Sequence, residues 1–326
     1  MPTCALIAAA LAAAAPGTTV STGRILCDQR LVLQNRDYGG VTLDATGATF
    51  REGGMFQDIS GLTIKGGLWG RNDADTQAAH IIRTDRVTDF SIAGATIIGN
   101  GNLSGAGIQI QTHSRRVTLR DNNFSGHALA IGVGRSEDVL VVRNTIVGST
   151  SDGINSAGNH NAIFAANSCR NFRRTPPAHP DCIQMWSIPG EPLQSDIWVI
   201  NNAAIGDMQG ILSSDPKDGS GRRLFFHGNY LAVTFSHTLT CTRCVDSVAM
   251  DNVLASYPGS YFGIGTLKGF EDPSNRVARN VMADGTRTLP RRIFSSVVPP
   301  IASRVGSRFD LRSYGARRPD PPAVSR

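Results

Sequence analysis

No apolar run in this 326-residue chain approaches the roughly 18 residues that a membrane-crossing helix needs, so no segment reads as a span. Aromatic residues are sparse at 6% and charged ones at 18%, while glycine is plentiful at 35 residues. That balance suits many short strands joined by tight turns. No Lys or Arg occurs before Arg24, which leaves the apolar stretch 4–15 without the basic flank of a secretion signal. The alternative reading is an Ala-rich capping helix ended by Pro16-Gly17, ahead of a strand at Thr18-Thr19-Val20. Among the six cysteines, Cys241-Thr242-Arg243-Cys244 has no second CxxC at zinc-site spacing and no βαβ context. The cysteines read as buried or turn residues, and a bond between Cys169 and Cys182 is not expected, because strand alternation turns Cys182 outward.

The net charge of +6 is unevenly placed. Residues 287–326 carry nine Arg, no Lys and two Asp, a net of +7, so residues 1–286 sum to −1. Basicity confined to a Pro-rich tail points to an irregular C-terminal segment and not to an anion-binding domain. The tail also lacks interleaved aromatics, with only Phe294, Phe309 and Tyr314, so no nucleic-acid partner is expected.

What the chain does have is a repeat. Asn122, Asn144, Asn167, Asn202, Asn229, Asn252 and Asn280 each follow a short apolar strand, at steps of 22, 23, 35, 27, 23 and 28 residues. A unit of about 22 residues recurring with insertions is the mark of a stacked solenoid. Aligning on the asparagine also aligns Val117, Val139, Ala162 and Ile197, with earlier copies at Phe90 and Leu62 that lack it. A second strand recurs in step and puts Ile108, Ile131, Ile154, Ile183 and Ile211 inside, with Gln109, Asn155 and Gln184 outside. Stacked asparagine amides can hydrogen-bond from coil to coil, which satisfies turns that would otherwise bury unpaired polar groups.

On these motifs the chain resembles the right-handed parallel β-helix (pectin-lyase-like) superfamily, and its stacked asparagines resemble that superfamily's asparagine ladder. The resemblance implies an all-β solenoid with an N-terminal capping helix: residues 1–17 the cap, 18–286 the β-helix, and 287–326 an irregular Arg/Pro-rich segment. It also implies a secreted or periplasmic protein.

Chemistry is expected where the repeat breaks. The longest step, from Asn167 to Asn202, carries an insertion running through Arg173, Arg174 and His179 to Asp181-Cys182-Ile183-Gln184-Met185-Trp186. The matching positions one coil earlier are Asp152-Gly153-Ile154-Asn155, and one coil later Gln209-Gly210-Ile211-Leu212, leading on to Asp215 and Lys217. Coils sit about 4.8 Å apart, so Asp152, Asp181 and Gln209 should form one column. Two carboxylates that close cannot both ionise comfortably, and one should hold its proton. A proton donor beside an ionised base is what glycosidic cleavage requires. Gln109, Gln111, His113, Asn155, Gln184 and Trp186 should line the same face, where amides and an indole suit sugar hydroxyls and C–H faces. Taken singly, Asp152-Gly153 is an ordinary turn pair and His179-Pro180-Asp181 a rigid loop exit. It is their conjunction on consecutive coils that points to a polysaccharide or oligosaccharide groove.

Ser151-Asp152-Gly153-Ile154 followed by Pro180-Asp181-Cys182-Ile183 resembles the paired aspartate motifs of polygalacturonases, which implies catalytic carboxylates at Asp152 and Asp181. Pro180 replaces a second aspartate, and neither a Gly-His-Gly nor an Arg-Ile-Lys motif follows. The resemblance to uncharacterised bacterial β-helix repeat proteins covers more of the chain. Within the superfamily β-elimination on acidic sugars is the first expectation, with His179 or Lys217 as base and Arg173, Arg174 or Lys217 neutralising a uronate. The residues name no certain cofactor, and Ca²⁺ held between Asp152 and Asp181 is an alternative neutraliser. Glycoside hydrolysis by Asp152 and Asp181, C5-epimerisation, and a non-enzymatic glycan-binding adhesin are the competing readings.

Overall fold

A computed structural model describes residues 4–71, 80–101, 105–175, 178–214, 219–260 and 262–283. The chain winds into a parallel β-helix in which a typical coil gives three strands, as in Ala106–Gln111, Arg115–Arg120 and Asn123–Ser125. Every strand pairs in parallel with its counterparts on adjoining coils, giving sheets of 19 and 11 strands among the described residues. The registers are those the repeat implies. Ile108 pairs with Ile131, then Ile154, Ile183 and Ile211, and Phe90 leads through Val117, Val139 and Ala162 to Ile197. These side chains stack into a single buried core running the length of the helix axis. Each residue meets its like one coil away, so burial is continuous although no coil could fold alone.

The asparagine ladder is fully formed. Asn144 Oδ1 accepts from Asn122 Nδ2 at 3.0 Å and from the Asn122 backbone N–H at 3.1 Å, and the pattern repeats through Asn167, Asn202, Asn229, Asn252 and Asn280. Each Nδ2 also donates to a carbonyl of the preceding coil, such as Asn202 Nδ2 to Phe164 O at 2.9 Å. The residue before each ladder asparagine is left-handed: Asp121, Arg143, Ala166, Asn201, Asp251 and Arg279 have φ between 52° and 58°, and Gly228 has φ 65°. That conformation is costly for a non-glycine residue and persists where the surroundings fix it. Here the ladder does so by binding the backbone on either side. Two such residues join outside the ladder, where Arg143 grips Asp121 at 2.6 and 2.7 Å, but exposed ion pairs of this kind contribute little.

The N-terminal helix, Cys4–Ala13, buries Cys4, Ile7 and Leu11 over the first coil. Arg36 Nη2 donates to Ala12 O near its end, and a Cys4–Cys27 disulfide fastens it. Capping suits such an array, because the first coil would otherwise present an open edge.

Two expectations are corrected. The cysteines are paired as Cys4–Cys27, Cys169–Cys182 and Cys241–Cys244, and Cys182 lies inside. Simple alternation fails at the start of this strand because two successive residues turn inward on each coil. Gly107, Ala130, Gly153, Cys182 and Gly210 precede the inward isoleucines, and all are small for a reason. A Cβ on Gly153 would stand 2.6 Å from Cys182 O and 2.9 Å from Cys169 Sγ, and one on Gly210 would stand 2.1 Å from Thr238 O. Cys182 fits there with its sulfur joined to Cys169. The C-terminal segment 287–326 lies outside the described residues.

Candidate active site

The column expected from the repeat exists, and it is longer than expected. Asp181 pairs with Gln209, and Asp152 lies one coil below, its Oδ1 accepting the Asp181 backbone N–H at 3.1 Å. Above Gln209 comes His237, whose carbonyl receives the Gly210 N–H at 3.0 Å. No sequence motif marks His237. It sits in Ser236-His237-Thr238, where nothing resembles the aspartate coils, and only the register one step beyond Gln209 could have found it.

The column is not an open trough. Asp181 is 0% exposed, Gln209 5% and Asp152 7%. The groups partly or fully open to solvent around it are His179, His237, Asn155, Gln184 and Trp186. Asn155 Nδ2 bridges the two layers, donating to Asp152 Oδ2 at 3.0 Å and to Gln184 Oε1 at 3.1 Å. The carboxyl pair therefore lies beneath a surface of amides and imidazoles.

Burial pushes the Asp152 carboxyl upward, against hydrogen bonds from Asn155 and the Asp181 N–H and the nearby His179, which favour the charged form. Burial and then the charge of Asp152 push Asp181 well above the ordinary carboxylate range. Which of the two keeps the proton follows from their partners. Asp152 has an N–H donor on each oxygen, whereas both Asp181 oxygens are buried without a hydrogen-bond partner. A buried carboxylate without a hydrogen-bond donor is very costly, so Asp181 is the member that holds the proton and Asp152 the ionisable one. Gln209 Oε1 is likewise buried and unpartnered, one coil above. His237 is held below the usual histidine range, first by burial, then by Lys268 and His179, so its ring is neutral and able to accept a proton.

This arrangement carries a sign for stability. A carboxyl raised on folding contributes fully below its ordinary value near pH 4, and that contribution is lost as pH climbs toward the folded value. Asp181→Asn keeps the shape without the charge, and each unit of upward shift it relieves is about 1.4 kcal/mol. Melting curves should coincide for the two proteins near pH 4 and separate by several degrees near pH 8, with the Asn variant higher. Curves that stay superimposed would mean Asp181 is an ordinary carboxylate.

The other residues expected at the site fall into three groups. Gln109, Asn155 and Gln184 do lie on one outward row, in register through Gly132. Gln111 lies two residues along, and Trp186 stands beside Ala157. Arg174 leans over the Phe235 ring at 5.1 Å, near the His237 coil, while Arg173 is exposed and its backbone N–H donates to Ser149 O at 2.8 Å. His113 lies past the end of the strand Ala106–Gln111, in a left-handed turn with φ 55°. Asp215 and Lys217 lie outside the described residues.

The insertion over the column is anchored at both ends by Cys169–Cys182. Closing a loop of this size contributes about 3 kcal/mol in the chain-entropy picture. A Cys169→Ser/Cys182→Ser chain should lose stability of that order in urea unfolding, and its hydrogen exchange should rise first in residues 170–181. Calcium fits poorly here. It takes about six to eight oxygens, whereas Asp152 already spends both of its own on N–H donors. Among the described residues no three His, Cys, Asp or Glu side chains gather as a metal cluster.

No protein-family model matches the chain, and no curated protein matches it in sequence. Solved structures do match its fold. The surface adhesin PfbA of Streptococcus pneumoniae superposes with a TM-score of 0.65 at 12% identity over 85% of this chain and 84% of the other. An alginate lyase from Paenibacillus sp. gives 0.55 at 14% identity over 87% and 98%. An endo-xylogalacturonan hydrolase from Aspergillus tubingensis gives 0.55 at 10% identity over 90% and 94%. At such identities the likeness is one of fold, a parallel β-helix.

Proposed function

We propose that this protein binds an extended acidic polysaccharide along the row of Gln109, Asn155, Gln184 and Trp186 and cleaves it beside Asp181 by β-elimination. The observation that carries the reading is the column itself: a proton-holding Asp181 in line with Gln209 and His237, next to an ionisable Asp152. In β-elimination a base takes the C5 proton of a uronate, a double bond forms between C4 and C5, and the C4–O bond breaks with its electron pair leaving on the oxygen, which takes up a proton from water or an acid to become a hydroxyl. The step needs the uronate carboxylate neutralised and a base in reach. The surface amides of Asn155 and Gln184 meet that carboxylate, with the neutral Asp181 and Gln209 beneath them and Arg173 and Arg174 adding positive charge from the insertion. His237 or His179 accepts the proton, and Lys217 is a further proposed base. Substrate meets the amides and imidazoles first, with the acid pair acting from beneath.

A second reading, glycoside hydrolysis by Asp152 and Asp181, is favoured by their placement on adjoining coils. Their separation of about 4.8 Å along the axis is nearer the spacing of retaining enzymes, about 5 Å, than that of inverting ones. C5-epimerisation begins with the same proton abstraction as elimination. The lyase and hydrolase among the structural neighbours support a glycan as ligand, and the adhesin supports binding without chemistry. Three disulfides and a surface adhesin among the neighbours support a secreted or periplasmic location.

The test is a panel of uronate-containing and neutral polysaccharides, followed by far-ultraviolet absorbance and by reducing ends. Elimination yields both signals on an acidic glycan. Reducing ends without new absorbance would make the protein a hydrolase, and binding with neither signal a non-enzymatic solenoid.

A further inference from the structure

The outward row does not stop at Gln109. One coil below, Gln109 pairs with Arg83, and above it the column runs through Gly132 and Asn155 to Gln184, then Leu212, Thr240 and Lys268. Below Arg83 it turns apolar, with Met55 and Val32. The upper end is closed, because Leu212 is 9% exposed and Thr240 4%, and His237 Nδ1 lies 3.2 Å from Thr240 Oγ1. Lys268 continues the column beyond that closure and stands apart from the open part. A ligand on the row therefore lies on one side of the acid pair, between Gln184 and Arg83, which are four coil steps or about 19 Å apart.

Between those ends the row is built of amides. A Cβ on Gly132 would stand 2.1 Å from Gln109 Oε1, so glycine at that position lets the Gln109 side chain lie along the row. Gln184 Oε1 is taken by Asn155 Nδ2, which leaves Gln184 Nε2, a donor, to face the ligand. At the far end Arg83 is exposed on the strand His80–Asp85, next to the buried Ile82. Among the described residues no hydrogen bond or ion pair holds its guanidinium. Arg30 and His80 lie close enough to feel its charge, and neither is acidic. The carboxylates of this region are engaged elsewhere, Glu52 with Arg71 at 2.9 Å and Asp85 with Arg86 at 2.9 Å. An exposed cation without a protein counter-ion, at the end of a row of hydrogen-bonding amides, is suited to an anion that comes from outside.

We infer that Arg83 is the far anionic subsite of a one-sided row, taking a second carboxylate of the same glycan chain whose reacting uronate lies at Gln184. The inference rests on the acidic-polysaccharide reading above. It adds to that reading a charge requirement about 19 Å from the reacting sugar, on the side of the N-terminal helix, and a minimum length of chain that can meet it. Sugars on the other side of the acid pair meet the closure at Leu212 and Thr240 and contribute little to affinity.

The experiment measures binding to the full chain by titration calorimetry, with dimers and hexamers of polygalacturonate and of alginate, so that the readout does not depend on turnover. Arg83→Gln should weaken hexamer binding by about three- to fivefold, the scale of an exposed charge pair, and leave dimer binding unchanged. Arg83→Glu should weaken it by roughly tenfold or more, since it sets like charges together, and Arg83→Lys should restore most of the affinity. The difference between the unsubstituted chain and Arg83→Gln should shrink as salt is raised, because exposed charges are screened. Arg24→Gln, in the turn ahead of the strand Leu26–Cys27 of the other sheet, should bind like the unsubstituted chain. An Arg83→Gln loss that is absent, equal for dimer and hexamer, or reproduced by Arg24→Gln would overturn the inference and leave the acidic-polysaccharide reading standing. Neutral hexamers bound as tightly as acidic ones, or neither acidic hexamer bound, would overturn both.

Discussion

Asp181→Asn should fold and yet lose about 10²- to 10⁴-fold in kcat/KM on whichever polysaccharide proves to be cleaved, the range expected when a positioned acid or base is removed. The same substitution is expected to raise thermal stability at neutral and alkaline pH, because it removes a carboxyl whose oxygens are buried without partners. Opposite movements of activity and stability distinguish a functional group from a structural one, since a structural residue loses both together. His237→Ala should lower kcat/KM by a similar factor and remove the lower-pH limb of its pH profile, as befits a neutral imidazole acting as base. If Asp181→Asn retained full activity and Trp186→Ala alone weakened glycan binding, the column would be scaffold and the row a binding surface.

The second large effect concerns the ladder. Asn202→Ala should destabilise the protein by about 2–5 kcal/mol, because it strands several buried polar groups at roughly 1–3 kcal/mol each. The Asn167 backbone N–H and Nδ2 both lose their acceptor, at 2.9 and 3.0 Å, and the Phe164 carbonyl loses the donor at 2.9 Å. Asn280→Ala, at the partly buried upper end, removes a similar set of bonds where water can replace them, and should cost markedly less. Urea unfolding of the two variants checks the contrast. Equal losses would show that the ladder is not a buried network.

The fold was legible because its determinants repeat. One asparagine per coil and two inward aliphatic columns fix the register of strands far apart in sequence, and a slip of one residue would have turned Ile108, Ile131, Ile154, Ile183 and Ile211 to solvent. The Asp152–Asp181–Gln209 column was legible for the same reason. Three things were not. Cys182 breaks period-two alternation, because the chain turns a corner at its position and sends two consecutive residues inward. The burial of Asp152 and Asp181 depends on the insertion and on later coils, which the strand pattern does not encode. His237 carries no motif and enters the site only through register.

Asp181 holds a proton that Asp152 does not, and carboxyl-selective ¹³C NMR of aspartate-labelled protein tests this directly. Compared against Asp181→Asn, one carboxyl signal should be assigned to Asp181, remain in its protonated position at neutral pH and move only well above the ordinary carboxylate range, while the Asp152 signal titrates at lower pH. An Asp181 signal that titrates near pH 4, alongside the exposed aspartates, would contradict the account.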